Sequence, residues 1–192
     1  ALAEIVVTAK EEDNNVSAVQ MSVENLQMST IERLPALLGE VDVLRSIQLL
    51  PGVSSVGEGA AGFNVRGGSI DQNLVILDEA PVFNSSHLFG FFSVFNPDAV
   101  KGVKLYKGGI PARYGGRLSS ILDVRMREGN NKQFEMKGGI GTIFSRLSVE
   151  APIVKNKSSF LLAGRRSYID VLAAPFLGES IQGTKLNFYD LT

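Results

Sequence analysis

Six residues, GEGAAG from Gly57 to Gly62, carry the glycine spacing with which a backbone can wrap a pyrophosphate. That chemistry needs a strand before the loop, and after it a helix whose N-terminus faces the phosphates. Here a helix-like segment precedes the loop and the strand-like Phe63-Asn64-Val65-Arg66 follows it, so the stretch reads as a surface loop. The only histidine is His87 and there is no cysteine, so the usual nitrogen and sulfur ligand sets for a transition metal cannot be assembled. No GxSxG elbow presents a serine to His87, and no phosphate-binding loop ends in Gly-Lys-Ser or Gly-Lys-Thr. The expectation is no catalysis and no cofactor.

What remains is a recurrent punctuation by arginine and paired glycine: VRGG at 65–68, KGG at 107–109 and RYGGRLSS at 113–120. Glycine pairs permit positive φ and close backbone approach. Arginines beside them sit on tight turns with the guanidinium aimed outward. Two readings stand side by side, plain hairpin turns and a set of displayed cations. The aromatic cluster Phe83, Leu88, Phe89, Phe91, Phe92 and Phe95 also has two readings, core packing and a surface offered to a ligand.

The elements that must position these residues follow from pattern. Ile5-Val6-Val7-Thr8 is a β-branched run, and KEEDNN behind it is a polar linker. Val16–Leu26 alternates in part and predicts a strand. Ser29 and Thr30 are expected to cap a short helix limited by Pro35. Asp42 is expected to cap a second, with Val43, Leu44, Ile47 and Leu50 at helical spacing and Pro51-Gly52 ending it. Strands are predicted at 63–66, 73–78, 100–107 and 121–127. After Glu128-Gly129-Asn130-Asn131 the pattern predicts one long strand over 134–151, with a parity switch read as a bulge near Ser145. Pro152–Lys157 reads as a turn, and 158–171 as a second long strand. Such lengths suit tilted barrel strands.

Bulk numbers set the limits. The chain has 192 residues, 44% hydrophobic and 20% charged, enough for a core. Nineteen basic residues against 20 acidic give a net charge of -1, without the basic excess of a nucleic-acid binder. No apolar run reaches the roughly 18 residues of a membrane helix, so the expectation is a chain that either is soluble or meets the membrane only as strands. The start at Ala1-Leu2-Ala3 and the absence of a leader predict a processed or partial chain.

Three stretches, in this order, resemble the plug of TonB-dependent outer-membrane receptors. They are AEIVVTA at 3–9, FNVRGGSIDQNLVILDEAPV at 63–82 and VFNPDAVKGVKLYKGGIPARYGGRLSSILDVRMREG at 94–129. DVLRSIQLLPGV at 42–53 resembles the Bacteroidota branch, while Glu79-Ala80 stands where Asp-Gly is usual. The resemblance implies an α+β fold: a small mixed-sheet plug with short helices, followed by a long antiparallel β-hairpin of a transmembrane barrel. It divides the chain into a TonB box and linker (1–15), the plug (16–131) and an incomplete barrel (132–192). A barrel of about 22 strands, each of about 9 to 11 residues, cannot fit in this length.

The resemblance also implies roles and partners. Glu4, Ile5, Val6, Val7, Thr8 and Ala9 would bind the TonB C-terminal domain by strand addition. Arg66, and with it Arg113, would latch the plug to barrel glutamates. Phe83, His87, Phe89 and Phe91 are candidates to face a small-molecule or oligomeric nutrient. The other expected partners are the remainder of the barrel and outer-membrane lipid; nucleic acid and metal are not expected. The implied function is gated, energy-coupled uptake of a scarce nutrient such as a metal chelate. The competing function is a plug-like periplasmic module that docks or signals without transport.

Overall fold

A computed structural model describes residues 22–34, 41–57, 60–141, 143–168 and 187–192. The chain enters through β1 (Val23–Gln27), which runs directly into the one-turn helix α1 (Met28–Ile31). Ser29 and Thr30 therefore lie inside α1 instead of capping it. Gln27 precedes the helix and makes no side-chain cap. Helix α2 (Val43–Gln48) does begin as its sequence predicts. Asp42 Oδ1 accepts from the Leu44 and Arg45 amides at 2.8 and 3.1 Å, satisfying donors that have no partner in a first helical turn.

β2 (Val53–Ser55) and β3 (Phe63–Val65) form an antiparallel pair, and the GEGAAG stretch joins them. A loop between two antiparallel strands offers no helix N-terminus to a phosphate. β4 (Asn73–Leu77) and β5 (Ala80–Pro81) follow, then the small hairpin of β6 (Ser86–His87) and β7 (Phe92–Ser93), then β8 (Val100–Tyr106) and β9 (Ser120–Met126). A five-stranded mixed sheet results, in the order β1-β8-β9-β4-β5, with β4 and β9 parallel. Both helices pack on one face. Ile31, Val43, Leu44 and Ile47 lie against Val103, Leu105, Leu122 and Val124, all buried. Each such aliphatic side chain removed from water contributes about 1.5–3 kcal/mol. The other face carries a smaller cluster of Ile76, Tyr106 and Ile121, covered by Ile110 and Tyr114.

The sequence predicts a single strand over 134–151, and the structure corrects this. β10 (Glu135–Ile140) and β11 (Phe144–Val154) are separate antiparallel strands. The chain reverses between them, and the Gly141 amide donates to the Phe144 carbonyl at 2.7 Å. A reversal changes the parity of the apolar positions just as a bulge does. The expected hairpin is thus a four-stranded antiparallel sheet, β10-β11-β12-β13, with β12 (Ser158–Ser167) and β13 (Tyr189–Leu191). The true irregularity in β11 lies between Pro152 and Val154.

Residues 127–134 connect the two sheets, and Gly129 crosses the β12 backbone closely. A Cβ built there would stand 2.1 Å from the Phe160 carbonyl oxygen, which belongs to a paired strand and cannot rotate away. Gly129→Ala is expected to lift the connection off β12 at a cost of about 1–3 kcal/mol. Chemical denaturation of the full-length protein checks this; an unchanged midpoint would mean that the connection is free to shift.

Candidate functional site

The four-stranded sheet has the reverse of a soluble protein's pattern. Cross-strand register assigns each side chain to a face. One face holds Met136, Ile140, Leu147, Ile153, Phe160, Leu162, Tyr189 and Leu191, all exposed. The other holds Phe144, Ser148, Glu150, Arg165 and Ser167, buried against the amino-terminal unit. The buried face is mostly polar, Phe144 and Ala163 excepted, and the exposed face mostly apolar, Arg166 excepted, as in the wall of a membrane barrel. No helix among the described residues is long and apolar enough to cross a membrane.

Two seams join this sheet to the amino-terminal unit, one at the connection after β9 and one at the β6–β7 hairpin. At the end bearing the short 155–157 turn, Arg127 Nη2 meets Glu150 Oε1 at 2.7 Å, and the Asn130 amide donates to Glu150 Oε2 at 2.9 Å. The Asn156 amide donates to the Asn131 carbonyl at 2.8 Å. At the opposite end Arg165 Nη2 donates to the Ser93 carbonyl at 2.7 Å, and its Nε donates to Asp190 Oδ2 at 3.0 Å. The other oxygen of Asp190 lies 2.6 Å from His87 Nε2. The His87 ring stacks on Phe188, with centroids 4.3 Å apart. Phe92, Phe144 and Phe188 fill the space beside it. Midway, Arg146 and Asp98 approach to 3.5 Å.

The residues singled out in the sequence are distributed as follows. Residues 4–9 lie outside the described residues. Arg66 and Gly67 form a tight turn with φ of 49° and 80°, closed by the Gly68 amide on the Val65 carbonyl at 2.9 Å. A left-handed arginine costs about 1–2 kcal/mol. Its side chain donates to Ser22 Oγ at 2.8 Å, so it holds the start of β1. Arg113 is exposed and lies over the Tyr114 ring at 4.8 Å. The Tyr114 hydroxyl donates to buried Asp123 at 3.2 Å; burial first, then the Asp123 charge, pushes the phenol above its usual range, so it remains a donor. Hydrogen bonding to the same carboxylate holds Arg125 charged.

The aromatic cluster divides. Phe92 and Phe95 are buried, while Phe83 and Phe91 are exposed; the Phe89 side chain is outside the description. His87 belongs to the wall seam, apart from Phe83. Sequence reasoning did not find Arg127, Glu150, Arg165 or Asp190. The available signal was a charge at the parity opposite the apolar positions of an alternating strand, as at Glu150 and Arg165. Among the described residues no group of His, Asp and Glu is arranged to hold a metal ion.

Comparison with known proteins gives one family and several structures of similar fold. The model of the TonB-dependent receptor plug domain matches residues 15–120. Among solved structures, the siderophore receptor PirA from Acinetobacter baumannii superposes with a TM-score of 0.59 at 18% identity, over 85% of this chain and 26% of that one. The siderophore receptor PirA from Pseudomonas aeruginosa gives 0.55 at 18% identity, over 76% of this chain and 27% of that one. The outer membrane transporter YddB from Escherichia coli gives 0.52 at 14% identity, over 76% and 26%. The chain spans about a quarter of the length of these three proteins. A search of curated proteins finds no match.

Proposed function

The chain belongs to the TonB-dependent receptor plug domains, a family of transport and gating modules and not of enzymes, and on that premise we propose that it is the gate of an outer-membrane active transporter. The observation that carries this is the inverted face of the four-stranded sheet. A domain that seats itself on the charged inner face of a lipid-facing wall is placed to close a barrel's lumen. The remaining barrel strands would follow Thr192 and enclose the mixed sheet from the other side. Arg66 and Arg113 would then face that part of the barrel and find their glutamates there.

The coupling handle in this proposal is Glu4–Ala9. An extended Ile-Val-Val-Thr run adds to the sheet edge of the TonB C-terminal domain through backbone hydrogen bonds. Tension would reach the plug at Ser22, which Arg66 clamps. Phe83, Phe89 and Phe91 would touch cargo. The siderophore receptors among the structural relatives favour a metal chelate. The Bacteroidota-like branch rests on residues 42–53 alone.

The test is binding of the full-length receptor to the TonB C-terminal domain, with Val7→Pro beside the parent. Proline removes one ladder N–H. Binding and energised uptake are expected in the parent, and a loss of both in Val7→Pro. Equal binding by the two forms would move the contact to another surface. No binding by either would return the chain to a docking module without transport.

A further inference from the structure

The two seams between plug and wall are not equivalent. At the short-turn end the chain itself passes from one to the other through residues 127–134, so that seam stays joined whatever its hydrogen bonds do. At the opposite end, among the described residues, the β6–β7 hairpin meets β12 and β13 through noncovalent contacts alone. These converge on Asp190. One of its oxygens takes the Arg165 Nε donor at 3.0 Å, and the other takes His87 Nε2 at 2.6 Å. Arg165 in turn donates to the Ser93 carbonyl. The Arg165 side chain is only 1% exposed, and losing the charge of a carboxylate that meets a guanidinium that dry is costly.

Resting on the transport reading above, we infer that Asp190 is the positioning residue of a releasable clasp. It aims Arg165 at the Ser93 carbonyl and accepts a hydrogen bond from His87 Nε2, and so seats the β6–β7 hairpin against the wall. A plug moving against this side of the barrel swings on residues 127–134 and parts from the wall first at Asp190. The aromatic packing of Phe92, Phe144 and Phe188, with Phe92 edge-on to Phe144, fills this seam. The polar contacts add charge-assisted hydrogen bonds at defined atoms, and these are what a single substitution at Asp190 removes.

Thiol labelling of the full-length receptor in its membrane tests this without any need for transport. Cysteines elsewhere in the receptor are first replaced. Ser93→Cys puts a thiol in place of a buried hydroxyl that has no hydrogen-bond partner, so the probe removes no bond. Val124→Cys reports on the plug core. Asp190→Asn is expected to raise maleimide labelling at position 93 about tenfold, the effect of losing a buried charged acceptor. Asp190→Glu is expected to restore protection, with position 124 unlabelled throughout. Unchanged labelling at 93 overturns the clasp. Labelling at 124 as well as 93 also overturns it, because general loosening then explains the result. Should Asp190→Asn fail to reach the membrane, His87→Ala leaves the Arg165–Asp190 pair intact and carries the same expectation and the same overturning results. A receptor that imports nothing defeats the transport reading and leaves this measurement standing.

Discussion

Replacing Glu150 by alanine is expected to cost the plug about 3–5 kcal/mol of stability within the intact receptor, the usual result of stranding one half of a buried ion pair. Glu150 is almost fully buried and satisfies two groups at once, the Arg127 guanidinium and the Asn130 amide. Arg127 is tied on its other side to the Asp98 carbonyl at 3.1 Å, so it cannot swing to water without giving up that bond too. The urea midpoint of plug unfolding in the full-length receptor measures the loss. Replacing Arg127 and Glu150 together by methionine should recover a large part of it, because the pair then leaves no unmatched charge. A single and a double variant with equal losses would show that packing, and not charge, holds this seam.

Asp42→Ala is expected to cost about 2–4 kcal/mol, more than an ordinary helix cap. Both carboxylate oxygens are used. Oδ1 serves the first turn of α2, and Oδ2 accepts the Ser93 amide at 2.7 Å, tying that helix to the β6–β7 hairpin. Asp42→Asn separates these roles: its one carbonyl oxygen can keep the cap, while its amide nitrogen cannot accept from Ser93. The expected order of stability is parent, Asn, then Ala, read by circular dichroism during denaturation. An Asn variant as stable as the parent would mean that the Ser93 contact contributes nothing.

Local chemistry made much of this molecule legible. Asp42 announces its helix because a carboxylate ahead of an apolar 3.6-residue pattern has one obvious partner set, the first-turn amides. The strands Val100–Tyr106 and Ser120–Met126 follow from β-branched and apolar runs bounded by glycine and charge. The reversal between β10 and β11 was misread because period-two patterns record parity and not direction. The seams were hidden for another reason. Arg127 and Glu150 are 23 positions apart, and Arg165 and Ser93 are 72 apart, so no local pattern links them. Arg66 was legible as a special position, since its neighbouring glycines mark a left-handed turn. Its observed partner, Ser22, was not, because a serine at a polar position of an alternating stretch carries no sign of what it will meet.

The outward apolar face of β10–β13 has a cost before there is any membrane to cover it. In water those strands would show a broad greasy surface bordered by two edges, β10 and β13, that have no strand partner among the described residues, the arrangement that draws other chains into intermolecular sheets. The plug offers no help, because it binds the polar side only. On the route that the proposed function implies, through an aqueous compartment, this segment would need that face covered. Its delivery would then be a separate problem from its gating, set by the same alternation of side chains that would make it a wall once it arrives.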